Sequence, residues 1–282
     1  EYRYLAHAIN HFFANGGARA FVMRVVPPDA AVAGLKCGDL LQFQAKNPGS
    51  WGNRIVISVM ESSKAKSQIL EDGGEGKYVL KNAVDFHPGD VVLLDGPDGA
   101  EYGLVSAVEG NNLTMVKPFE AQDVVDTALL PKTTVRTCEL NIEVRCEDAV
   151  ETYENVSFNI TIPNFIEKVM AKSELVNVTA VHNDQPVAPM DLVKQAAECD
   201  KDVVKLQLTG GLNGTAAALT DGDFIGEDKG PGERTGIQAF LDNSDVSLMA
   251  VPGITAPNVQ LSLVAHCERL ASRFAVLDMP KD

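Results

Sequence analysis

Apolar positions recur at helical spacing at the start of the chain. Leu5, Ala8, Ile9, Phe12 and Phe13 fall at i, i+3 and i+4, which predicts an amphipathic helix over residues 2–14. Asn15-Gly16-Gly17 ends it, because glycine takes the left-handed position after a helix without penalty. Residues 20–26 then change to a β-branched run closed by Pro27-Pro28, a predicted strand. Residues 30–44 are predicted as a short helical or irregular link, and residues 54–59 as a further strand. From 64 to 76 the sequence turns polar and glycine-rich, a boundary signal. Short apolar runs follow at 78–80, 91–94, 103–108 and 113–116. They are separated by His87-Pro88-Gly89-Asp90, Gly96-Pro97-Asp98-Gly99 and Gly110-Asn111-Asn112. Strands spaced this evenly predict a small antiparallel β-barrel or sandwich of about fifty residues.

Beyond it, Val135, Cys138, Leu140, Ile142 and Val144 mark one arm of a hairpin whose second arm is 153–161. Pro163 suits the first position of a helix over 163–172. The pattern then alternates: strand 175–181, helix 189–198, strand 203–208, helix 233–241, strand 246–251, helix 257–272 and strand 273–277. Such alternation predicts an α/β fold, a mostly parallel sheet covered by helices. The expected organisation is therefore a first α/β part at 1–71, an inserted small β domain at 72–131, and the rest of the α/β core at 132–282.

Composition narrows the function. With 282 residues, 45% hydrophobic and 22% charged, the chain can bury a sizeable core. A net charge of −15 argues against unassisted binding to nucleic acid or to an anionic membrane, and no window approaches eighteen consecutive apolar residues. Five scattered cysteines without a C-x-x-C pair suggest reduced thiols from a reducing compartment. The chain starts at Glu1 without Met or signal peptide and stops just past a predicted strand, so it is expected to be a piece of a longer protein.

The candidate chemistry is sparse. His7 and His11 stand four apart on the first helix but lack a third metal ligand at a suitable spacing. The Thr209–Thr215 stretch is glycine-rich and follows a predicted strand, yet matches neither G-x-G-x-x-G nor G-x-x-x-x-G-K-[S/T]. The acids after it (Asp221, Asp223, Glu227, Asp228 and Glu233) would repel phosphate. Asp221-Gly222-Asp223 lacks the spacing of a calcium loop. His266 and Cys267 are neighbours on a helix and point about 100° apart, so they form no nucleophile–base pair. His182 lies near Asp184 without a serine in a strained turn, and no G-x-S-x-G elbow exists. No catalytic, metal or cofactor residues are assigned.

The most distinctive local feature is Asn47-Pro48-Gly49-Ser50-Trp51-Gly52-Asn53, a rigid turn that carries the only tryptophan. Together with other segments it resembles the contractile tail sheath family of tailed phages and related injection machines. The resemblance rests on five elements in order. They are Phe12-Phe13-Ala14-Asn15-Gly16-Gly17 with Arg24-Val25, the tryptophan turn, residues 235–242 beginning Thr235-Gly236, then Val251-Pro252-Gly253, and residues 274–280 ending Asp278-Met279-Pro280. The motif residues carried over are Asn15, Gly16, Gly17, Arg24, Asn47, Gly49, Trp51, Gly52, Asn53, Thr235, Gly236, Pro252, Gly253, Asp278 and Pro280.

The resemblance implies a subtilisin-like α/β sheath core without protease activity, decorated by the small β domain. It implies no enzyme activity and no cofactor. It implies subunits in hexameric rings stacked helically around an inner tube, with other sheath subunits and the tube protein as partners. Contraction of the array drives the tube through a target envelope. Assembly would occur in the bacterial cytoplasm, for a virion tail or a released tail-like particle. The family's terminal arms, which link neighbours, have no counterpart in residues 1–282, so this chain alone is expected to be monomeric. The alternatives are a cryptic α/β hydrolase, or a carbohydrate- or receptor-binding module in the small β domain.

Overall fold

The computed structural model describes residues 3–97, 99–120, 129, 132–180 and 187–280. Two compact units divide the chain: residues 31–212, and a discontinuous unit made of 1–30 and 213–282.

In the continuous unit, β1 (Gly34–Cys37) and β2 (Leu41–Ala45) form a tight hairpin. Leu41, Phe43 and Ala45 are buried on one side of β2 while Gln42 and Gln44 face outward, the alternation a half-buried strand requires. β3 (Val56–Ser62) follows the tryptophan turn. The small β insert then runs through β4 (Lys66–Gly74), β5 (Lys77–Leu80), β6 (Val91–Gly96), β7 (Gly99–Glu109), β8 (Asn112–Met115) and β9 (Thr134–Thr137). These six close into a barrel in the order β4-β5-β8-β7-β6-β9, with every pairing antiparallel. Closure leaves no sheet edge. Ile69, Tyr78, Leu80, Val92, Leu94, Val105, Leu113 and Val135 fill the interior. The Phe119 N–H donates to the Tyr78 hydroxyl at 2.9 Å, and the two rings lie 5.3 Å apart.

The chain leaves the barrel into β10 (Glu139–Cys146), which pairs antiparallel with β3, Glu139 opposite Ser62. Entry and exit of the insert are therefore adjacent strands of one sheet. β11 (Ala149–Val156) adds to β10 as a hairpin. After α2 (Ile166–Met170), β12 (Val176–Ala180) joins β2, and after α3 (Pro189–Ala196), β13 (Val203–Gln207) joins β3. The result is a three-stranded sheet β1-β2-β12 and a four-stranded sheet β11-β10-β3-β13. Phe43, Ile55, Ile57, Val59, Leu140, Ile142, Ile166, Val176 and Leu206 share one buried core.

This overturns the expected fold class, a mostly parallel sheet covered by helices in the manner of a subtilisin-like core. The sheets are mostly antiparallel, and among the described residues β14 (Leu248–Ala250) with β15 (Phe274–Val276) is the one parallel pair of named strands. The alternation of strand and helix beyond residue 163 misled because it assumes that successive strands pair with one another. Instead Val178 lies opposite Phe43 and Leu206 opposite Ile57, each antiparallel to a strand far upstream. Residues 30–44, expected as a helical or irregular link, supply β1 and β2. Residues 20–26, expected as a strand, form no named strand among the described residues. Residues 233–241 were expected to be helical, but the observed element is a 3₁₀ turn, Gly236–Asp242.

The discontinuous unit contains α1 (Arg3–Ala14), α4 (Asp221–Ile225), the β14–β15 pair and α5 (Pro257–Leu270). Ile237, Met249, Val259, Leu263 and Cys267 form its core.

Where barrel meets sheet, two carboxylates are buried. Asp90 accepts from the Asn159 amide at 2.7 Å and from the His87 N–H at 2.6 Å. Asn159 also donates to the Pro88 carbonyl at 2.9 Å, tying the turn after β11 to the turn before β6. Glu139 accepts from the Lys64 N–H at 2.9 Å and the Thr137 hydroxyl at 2.8 Å. Burial pushes both carboxyls above the ordinary range, against the pull of these donors and of nearby His87 and Lys64. A raised acid favours its neutral form in the fold. Its contribution is full below the ordinary aspartate value of 3.8 and is lost as pH rises through the raised value. Asp90→Asn is therefore expected to flatten the decline of melting temperature as pH rises from 3.8. An unchanged slope in the variant would refute this.

Candidate functional site

The tryptophan turn is a clamp within the continuous unit. Gly49 is buried at φ 140°, and its N–H donates to the Ala31 carbonyl at 3.0 Å. The chain then makes a 3₁₀ turn, Ser50–Arg54, closed by Gly52 N–H to Gly49 carbonyl at 3.2 Å. Gly52 fits between Ala33 and Ala45, where a Cβ would stand 2.8 Å from each methyl. Asn53 grips a second strand end: its amide donates to the Gly211 carbonyl at 2.8 Å, and its carbonyl oxygen accepts from the Gly211 N–H at 2.7 Å. The glycine-rich stretch 209–215 thus has a structural task. Thr209 exchanges backbone bonds with Gly34, and Leu212 with Ala31, so the N–H groups of Thr209, Gly211 and Leu212 are directed at protein acceptors.

Asn47 is exposed, and Trp51 is half-buried, packed against the main core rather than sealed in it. Full burial would have put Trp51→Ala at about 3–5 kcal/mol. Half-burial reduces the expected loss to about 2 kcal/mol, read from the urea midpoint by circular dichroism. An unchanged midpoint would make the turn peripheral.

The other motif residues lie in the discontinuous unit, and several converge on one groove of about 920 Å³. Arg24, Gly236, Pro252 and Gly253 line it, together with the rest of residues 21–25 and 249–254. Its apolar walls include Phe21, Val25, Phe224, Ile237, Phe240 and Leu263. Two glycines make the wall possible. Gly226 (φ +75°) and Gly236 (φ +52°) cross so closely that a Cβ on Gly226 would overlap the Thr235 carbonyl. Thr235 adds bonds on both sides of the crossing: its N–H donates to the Glu227 carbonyl at 3.1 Å, and its hydroxyl accepts from the Glu227 N–H at 2.9 Å. Gly253 donates its N–H to the Asp278 carboxylate at 2.5 Å, and the Asp278 carbonyl accepts from Gln260 at 2.7 Å. The Pro252-Gly253 and Asp278 motifs, distant in sequence, are thus one joint. Gly16 takes φ +93°, and the Phe12 ring lies over Gly17. Pro280 follows this joint at an exposed position.

Several groups with chemical character are held by other protein groups. Asp223 accepts from the Thr220 N–H and hydroxyl, both at 2.8 Å, and caps α4. Asp228 and Asp242 both pair with Arg234. His266 is buried, with Nε2 2.9 Å from the Arg273 guanidinium; burial and that cation hold its pKa below the ordinary value. Cys267 sits in the hydrophobic core beside it, its thiol pushed up by burial. Burial likewise pushes Cys37 up to about 11 and Cys138 up to about 12, the behaviour of inert thiols. His7 and His11 are exposed on α1, and among the described residues no group of three ligands could hold a metal. His182 and Asp184 lie outside the described residues.

No protein-family model matches the chain, and no curated protein matches it at significant similarity.

Proposed function

We propose that this chain is a structural subunit of a contractile sheath, the sleeve around the inner tube of a phage tail or related injection system. The observation that carries the reading is the ordered set of motifs from Phe12 to Pro280. The proposal draws on these residues and not on the parallel architecture that the resemblance implies. Two features support it. Motif residues far apart in sequence meet at the Pro252–Gly253–Asp278 joint and around the groove, so they are spent on shape. Cys267, Asp223 and Asp228 are engaged in packing, a cap and an ion pair.

In this reading the subunit does no chemistry. It stores conformational energy at assembly, with other sheath subunits and the tube protein as partners, inside the bacterial cytoplasm and then in the particle. In the absence of the tube subunit, residues 1–282 are monomeric in dilute solution and form no sheath. Negative-stain imaging of the protein assembled with its tube subunit tests the reading, with striated cylinders around tubes as the expected result. Bare tubes, or one serine labelled by a broad hydrolase probe, would overturn it.

A further inference from the structure

The β14–β15 pair has two unlike faces. On one, Met249 and Ala275 stand opposite each other and pack with Val259, Leu263 and Cys267. On the other, Leu248 stands opposite Phe274 and Ala250 opposite Val276. This outer face is apolar and open: Leu248 is 52% exposed, Phe274 70% and Val276 48%. Parallel sheets are ordinarily covered on both faces, and two strands alone are marginal.

The same unit carries an amphipathic helix with little to cover it. None of residues 4–14 of α1 is buried, and Tyr4 and Phe13 are exposed. The helix contains no acid and includes Arg3, His7 and His11. The charged residues flanking the open face, within 244–251 and 274–280, are Asp245 and Asp278. Arg273, just before β15, is turned inward onto the Phe240 and Asn243 carbonyls. Arg19 pairs with Asp245 at 3.0 Å, so this rim already receives a cation. The chain's own α1 is engaged elsewhere, with the Tyr4 ring against Gly253 and Leu5 in the groove wall.

We propose that the open face of β14–β15 is an interface between copies of this chain, its occupant being α1 of the neighbouring copy, with Ile9 and Phe13 laid across Leu248, Phe274 and Val276. Helix and face are different surfaces, so the contact propagates head-to-tail unless two copies exchange it reciprocally. One helix face on a two-strand patch is smaller than the roughly 800 Å² per partner that a stable pair buries. One contact is therefore weak, consistent with a monomer in dilute solution, and it gains strength only where many contacts act together. The proposal rests on the assembly reading above and assigns one of its subunit contacts.

The test places a photo-crosslinking benzoylphenylalanine at Val276 of the chain, in a concentrated mixture of unlabelled and ¹⁵N-labelled protein. Isotopically mixed peptides joining position 276 to residues 4–14 are expected. Phe13→Asp, at an exposed position, should lower that yield about tenfold with the melting curve unchanged. Links confined to one copy, links to another segment, or an equal yield from a crosslinker at exposed Leu261 would overturn the interface. The same variants are imaged with the tube subunit. Cylinders without the 276 links refute the interface alone, whereas links without cylinders refute the sheath reading alone.

Discussion

Phe43→Ala is expected to lower the stability of the continuous unit by about 3–5 kcal/mol, the largest loss of any single truncation proposed for this chain. Phe43 is fully buried in the middle of β2, between β1 and β12, opposite Leu35 on one side and Val178 on the other. Its ring belongs to the core that also holds Ile57, Ile142, Ile166 and Leu206, so the cavity would open where strands of both sheets and α2 meet. Dense packing limits collapse around such a hole, which is why the cost exceeds transfer of the ring alone. Chemical denaturation followed by far-ultraviolet circular dichroism measures it. A loss below about 1.5 kcal/mol would mean that the site repacks freely and that the two sheets do not share one rigid core.

Gly226→Ala is the corresponding experiment for the discontinuous unit, with an expected cost of about 4 kcal/mol. Two effects add. The backbone at Gly226 has φ 75° and ψ 177°, a region almost closed to residues with a side chain, worth about 1–3 kcal/mol. The new methyl would also overlap the Thr235 carbonyl, which is backbone and cannot rotate away, for about 1–3 kcal/mol more. Because Phe224 and Gly236 line the groove on either side of the crossing, the variant should also loosen that wall. Amide hydrogen exchange would show it as faster exchange across residues 224–242. Unchanged protection there would place the strain outside the groove.

The fold was legible in the chain where its signals are local. The barrel strands are short, apolar and punctuated by turns such as Gly110-Asn111-Asn112, and neighbours in sequence become neighbours in space for β6–β7 and β7–β8. In β10, Leu140, Ile142 and Val144 are buried while Asn141, Glu143 and Arg145 are not, as alternation requires. Pairing over long range was not legible. Residues 176–180 and 203–207 carry the composition of strands but nothing that names a partner or a direction, and their partners proved to be β2 and β3. Residues 20–26 show the converse. They are rich in β-formers, yet β-propensity expresses fit to a paired surface, and among the described residues they belong to no sheet.

The candidate site divides in the same way. The tryptophan turn was visible in Pro48, whose φ is fixed, and in Gly49, whose φ is free, because φ preferences are properties of single residues; the need for Gly52 between the Ala33 and Ala45 methyls was not. That Asn53 would bind Gly211 was not, since nothing in Asn53 distinguishes a capping amide from an exposed one until the second strand end arrives. A glycine-rich stretch following a strand suggested a phosphate cradle, and only the approach of Ala31 and Gly34 turned its amides toward protein. Turn positions, strand faces and the stopping points of helices follow from the sequence alone, because they depend on steric and solvation preferences of residues close in the chain. Strand direction, the meeting of Gly253 with Asp278 and the crossing of Gly226 with Gly236 belong to the tertiary structure. They depend on which distant surfaces bury each other at the lowest total free energy, and that is a property of the whole assembly of strands and helices.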